Sequence, residues 1–99
     1  MQRLQNGRVT VSPTSKIVSV LVNSKDLNAL LVTIDSENLA RGWSLEENQT
    51  TFSYKIGLDA RVTAATIDIK CRYLAVGAES GEVLVLNLQS GGLLYTLPH

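Results

Sequence analysis

The chain has almost none of the side chains that most often do chemistry. Among 99 residues there is one cysteine, Cys71, and one histidine, His99, which is the last residue. A single cysteine excludes an internal disulfide and suits a reducing compartment. A lone terminal histidine gives neither a Ser-His-Asp triad nor a histidine metal site a rigid place to stand. Charge is sparse as well. Nine lysines and arginines balance nine aspartates and glutamates, and no like-charge run exceeds the pair Glu46-Glu47. The clustered cations that nucleic acid or an anionic membrane demands are missing, so neither is an expected partner. The first residues hold no apolar leader core, and no stretch is long enough to span a bilayer. These absences point to the cytoplasm, with nucleus or cytoskeleton as further settings. Gly77 and Gly81 are not followed by the lysine and helix of a phosphate loop. Apolar residues spaced by three and four are nowhere sustained, which argues against amphipathic helices.

What the chain does have is short apolar runs rich in valine, threonine and isoleucine, separated by turn-forming residues, the pattern of strands. The second half is clearest: residues 62–67, 73–77 and 83–88 are apolar, broken by the polar 68–72 and by Glu79-Ser80-Gly81. Runs apolar at nearly every position call for cover on both sheet faces. The first half repeats the order, with strands expected at 16–22, 29–34 and 39–45 and turns at 23–26, 35–38 and 46–49. Residues 50–56 alternate, which suits an outer strand with one wet face. Trp43-Ser44-Leu45 falls on Leu86-Asn87-Leu88 at a separation of 43 residues, Asn38 falls on Gly81 at the same separation, and Ile17 falls on Val62 at 45. A longer turn at 23–28 is expected to absorb the slip. Residues 50–56 then match 93–97. Ahead of the repeats, residues 1–7 read as a frayed lead ending in the turn pair Asn6-Gly7. Residues 8–11 read as a short strand closed before Pro13.

The stretch Asp68-x-x-Cys71-Arg72-Tyr73-Leu74-Ala75-Val76-Gly77-Ala78-Glu79-Ser80-Gly81-Glu82-Val83-Leu84-Val85-Leu86-Asn87-Leu88 resembles, without a gap, the WD repeat D-x-x-G-R-x-L-A-S-G-S-x-D-G-x-V-x-V-W-D-L. The resemblance implies an all-β fold of two four-stranded antiparallel propeller blades, an incomplete β-propeller, from a divergent member of that family. Residues 16–57 would form the first blade and 58–99 the second. Residues 1–15 would be a lead holding either the outer strand of a preceding blade or an unpaired tail. Propellers close with about four to eight blades, so further blades, from the same longer chain or another, are expected partners. WD repeats also hold each blade with a buried polar set. Its positions are Pro13, Thr33, Glu37 and Trp43 in the first repeat, and Leu58, Val76, Ser80 and Leu86 in the second. Thr33 and Trp43 are therefore expected to be structural, with Trp43 packed between blades. The second blade has lost the set as a whole, which leaves no orphaned polar group. Cys71 stands where the turn usually has glycine, a demanding place for any side chain if φ is positive. With no second cysteine and no histidine nearby, it reads as a structural thiol.

The resemblance implies a non-catalytic protein-protein interaction scaffold or adaptor. The alternative is a structural subunit of a cytoskeletal or ciliary assembly. An enzyme on this scaffold would need histidines or acids converging on the channel, and neither blade supplies a histidine. No catalytic residue, cofactor or metal site is expected. The loops at 12–15, 35–38, 57–61 and 78–81 are expected to share one face and to receive partners through Asp35, Ser36, Glu37, Asp59, Arg61 and Glu79. That set is mainly acidic, which favours basic or neutral segments. The opposite face, with Lys25, Lys70 and Arg72, is the weaker candidate. Two blades cover only the faces that meet. The chain alone is therefore expected to be oligomeric, aggregation-prone or loosely packed.

Overall fold

A computed structural model describes residues 4–5, 8–9, 16–25, 28–47 and 49–97. Every element among them is a strand: β1 (Leu4–Gln5), β2 (Arg8–Val9), β3 (Ile17–Lys25), β4 (Asn28–Asp35), β5 (Leu39–Ser44), β6 (Gln49–Lys55), β7 (Val62–Ile67), β8 (Tyr73–Ala78), β9 (Val83–Asn87) and β10 (Leu93–Leu97). They form two four-stranded antiparallel meanders, β3-β4-β5-β6 and β7-β8-β9-β10, and a two-stranded ladder, β1-β2. The residues read as a frayed lead thus carry a strand. Leu4 pairs with Val9 and Gln5 with Arg8, while the expected turn pair Asn6-Gly7 lies outside the described residues. Of the expected strand at 8–11, residues 10 and 11 lie outside the described residues, as does Pro13.

The repeat is written into the irregularities as well as the strands. The β3-β4 ladder slips between Ile17 and Ser19, and the β7-β8 ladder slips between Val62 and Ala64, 45 residues later. The β5-β6 ladder slips at Gly42/Trp43 opposite Phe52 and Thr50. The β9-β10 ladder slips opposite Tyr95 and Leu93, 43 residues later. Each slip inserts one unpaired residue and bends its strand, so the two sheets bend at matching places. Asn38 and Gly81, aligned by sequence, both have positive φ, 62° and 97°. The one clear departure is at residues 23–25. They were expected to turn, but they extend the ladder as Asn23–Leu30, Ser24–Ala29 and Lys25–Asn28. The slip of two residues is therefore taken up by a longer hairpin instead of a longer loop.

Alternation along the strands gives each sheet two faces. One face of the first sheet, with Val32, Ile34, Ala40 and Phe52, is buried in one cluster with Leu74, Val76, Leu84 and Leu86 of the second. This seam is the core. The apolar run of β8 is explained by it only in part, because Leu74 and Val76 are buried in the seam while Tyr73 points the other way and is exposed. Phe52 lies so close over Gly42 that a Cβ there would collide with its ring, and it stacks on Tyr54 with centroids 5.5 Å apart. Tyr54 crosses the seam, its hydroxyl donating to the Leu88 carbonyl at 2.8 Å. Burial pushes that phenol up to about 12, because the site disfavours the phenolate.

Candidate functional site

The loops that join β4 to β5, β6 to β7 and β8 to β9 lie at one end of the sheets, and Asn38 ties the first two together. Its side-chain amide donates to the carbonyls of Leu58 (3.2 Å) and Ala60 (2.9 Å), and its Oδ1 accepts from the Val62 N–H at 3.2 Å. Its own carbonyl accepts from the Ile56 N–H at 2.8 Å. Asn38 is buried, and asparagine is among the few residues that enter the left-handed region readily. One side chain thus fixes the linker between the two sheets to the turn of the first. At Gly81, the matching position, no side chain exists to do this.

The expected contact residues divide. Asp35 is buried, 1% exposed, and its Oδ1 accepts from the N–H groups of Glu37 (2.9 Å) and Leu39 (3.0 Å). It forms the turn and is not presented to solvent. Ser36 is half-buried and bonded to Lys16 through both its backbone and its hydroxyl. Glu37, Asp59, Arg61 and Glu79 are exposed and share the loop end. Arg61 pairs with Glu79 at 3.6 Å, both largely solvated, so the pair adds little stability. Lys16 stands exposed just ahead of β3, and Lys55 pairs with Leu39 at the end of β6. With Asp35 buried, the exposed charges of these loops are Glu37, Asp59 and Glu79 against Arg61. Asn38 was missed as a functional residue. Its signal was present in its alignment with a glycine, which marks a left-handed turn position.

Trp43 Nε1 donates to Thr33 Oγ1 at 3.1 Å, with both residues buried. The acid of that neighbourhood is Asp35 and not Glu37, whose side chain is exposed. Trp43 is absent from the seam cluster and lies on the far face of the first sheet. In the second sheet the matching Val76 and Leu86 are buried without polar partners, the apolar replacement expected. The fold is that of WD40-repeat propeller blades. Solved structures similar to the chain are the crystal structure of RRP9 WD40 repeats (TM-score 0.76, 23% identity, covering 93% of this chain and 28% of that one) and U3-55K (0.76, 23%, 93% and 29%). Hsv2 of Kluyvelomyces marxianus is also similar (0.75, 18%, 92% and 35%). The chain thus spans about a third of those chains or less, two WD40 blades of an unclosed propeller. No family model matches it, and no curated protein does.

At the other end of the blades, Asp68 holds the β7-β8 turn. Its Oδ1 accepts from the N–H groups of Arg72 (2.6 Å) and Tyr73 (2.8 Å), and Arg72 Nε stands 3.7 Å from Oδ2. The Tyr73 backbone bond leads in holding this carboxyl below the usual aspartate range. Arg72 also lies over the Tyr73 ring, 5.2 Å from its centroid. Cys71, at the tip, has φ 56°. The turn therefore keeps the glycine conformation with a side chain in place. Burial, then the Asp68 charge, raises the Cys71 thiol, which lowers its thiolate content and its reactivity. Among the described residues no group of three histidine, cysteine, aspartate or glutamate side chains is placed to hold a metal.

Proposed function

We propose that this chain is a non-catalytic protein-interaction scaffold that receives partner segments on its loop end. The observation that supports the reading is the Asn38 clamp. It sets the linker and the β4-β5 turn in one fixed arrangement, with Glu37, Asp59 and the Arg61–Glu79 pair exposed around it. A binding surface gains from being fixed in advance, because less ordering cost is charged to the complex. Among the described residues Glu37 and Asp59 have no ion pair, so they are available to a basic segment. The WD40 blade fold of RRP9, U3-55K and Hsv2 agrees with such a role.

The test is binary. Proteins captured on the immobilised chain are purified, and each is titrated against the wild type and the triple variant Glu37→Lys/Asp59→Lys/Glu79→Lys. A loss of affinity of about tenfold or more is expected for a genuine partner. Equal affinity for both chains would remove the loop end from consideration.

A further inference from the structure

Asp35 is only half used by the turn it forms. Its Oδ1 takes the N–H groups of Glu37 and Leu39, but Oδ2, also shut from water, accepts no hydrogen bond from the described residues. Native proteins rarely leave a buried carboxylate oxygen without a donor, because its lost hydration is then uncompensated. Thr33, two residues earlier on β4, has the converse need. Its Oγ1 accepts from Trp43 Nε1, while its own O–H proton finds no acceptor among the described residues. At 4% exposed, Thr33 is not served by bulk water either.

Both needs arise on one face of one strand. Val32 and Ile34 belong to the seam, so alternation along β4 sets Thr33 and Asp35 together on the opposite face. Residues two apart on a strand stand roughly 6.6–6.8 Å apart. A single hydrogen bond between their oxygens covers only about 2.8 Å, whereas two in series through one further oxygen reach about 5.5 Å. Whatever joins the two must accept the Thr33 proton and donate one to Asp35. An ammonium or guanidinium has no acceptor and a carbonyl has no donor, but a hydroxyl group has both. A neutral imidazole has both as well, yet the one histidine, His99, follows the last strand of the other sheet. Pro13, aligned with the remaining position of the polar set, has a side chain with neither.

We infer that a hydroxyl oxygen bridges Thr33 and Asp35, accepting the Thr33 proton and donating its own to Asp35 Oδ2. Trp43, Thr33, the bridge, Asp35 and the N–H groups of Glu37 and Leu39 then form one hydrogen-bonded chain from the middle of the first blade to its loop end. Thr33 becomes a positioning residue for the β4-β5 turn, whether or not that turn receives a partner. Two sources offer this chemistry. One is a trapped water, which two polar partners suffice to hold. The other is the side chain of Ser12, Thr14 or Ser15, the hydroxyls just ahead of Lys16 in the sequence.

A crystal structure of the full chain at about 1.5 Å, where ordered water is visible, tests the bridge directly. An oxygen within hydrogen-bond distance of both Thr33 Oγ1 and Asp35 Oδ2 is expected. A free peak identifies water, one continuous with Ser12, Thr14 or Ser15 identifies that hydroxyl, and either supports the inference. A direct Thr33–Asp35 bond, or no oxygen between them, would overturn it. In solution, Thr33→Val, Asp35→Asn and the double variant are compared by urea unfolding. The bridge makes the two positions interdependent, so the double variant should lose less than the product of the single losses by about threefold or more in the unfolding equilibrium constant. The lost Trp43 partner is common to both Thr33→Val chains and cancels. Independent losses at the two positions would sink the bridge.

Discussion

Phe52 and Tyr95 are the same position of the same repeat, each opposite the residue before its sheet's slip, yet one is in the core and the other in solvent. Leu88 and Leu45 repeat the contrast from the other side, at 0% and 40% exposed. Nothing in the side chains themselves produces the difference. A blade is a local unit whose strands, slips and turns follow from its own sequence, but its burial is conferred by its neighbour, as in any stacked repeat. Among the described residues the seam holds the hydrophobic core cluster, so a seam position should be costlier to mutate than its counterpart on the open face of the second blade.

The largest effect should come from the Phe52 and Tyr95 pair. Phe52→Ala empties the seam over Gly42 and should cost about 3–5 kcal/mol. Tyr95→Ala should stay within about 0.5 kcal/mol in urea unfolding of samples dilute enough to be monomeric. Equal losses would mean that the blades do not depend on one seam. Next comes Asn38. Asn38→Ala removes the clamp and forces alanine to φ 62°, with an expected loss of about 2–3 kcal/mol. Asn38→Gly keeps the backbone at ease and loses only the clamp, so it should cost less. Thermal unfolding of both variants separates the two contributions, and an alanine variant no worse than the glycine one would count against backbone strain.

A smaller effect lies in the pH response of the seam. The Tyr54 phenol is raised from about 10 in the unfolded chain to about 12 in the fold. Between those values the unfolded chain releases a proton that the folded chain keeps, so stability falls as pH rises through that window. Tyr54→Phe should lose this part of the alkaline decline and the late-titrating component of phenolate absorbance at once. The smallest effect is at the exposed β7-β8 turn. Asp68 has a depressed carboxyl, so its contribution is present above the ordinary aspartate value. It is lost as pH falls through the lower folded value. Asp68→Asn should flatten the acid limb of a stability profile slightly and leave the alkaline limb unchanged.

Much of this was legible in the residues. The eight blade strands follow from short apolar runs and turn dipeptides. The 43-residue repeat aligned Asn38 with Gly81 well enough to mark a left-handed position, and the Trp43–Thr33 bond follows from the surviving half of the polar set. Other features were not legible, for physical reasons. Residues 23–25 look like a turn because they are polar, yet polar residues extend a hairpin freely where it projects past the packed sheet. Asp35 and Glu37 are both acids in one turn, and only backbone geometry buries the first and exposes the second.

By itself, then, the sequence determined an all-β repeat with its strands, turn conformations and polar pairs, because these depend on neighbours a few residues away along the chain or across one ladder. Only the tertiary structure decided which face of each blade is dry and which acid of the β4-β5 turn is hidden. It also decided that one asparagine ties the linker between the sheets to the β4-β5 turn. Those outcomes are set by contacts between sheets, and such contacts leave no periodicity in the chain that makes them.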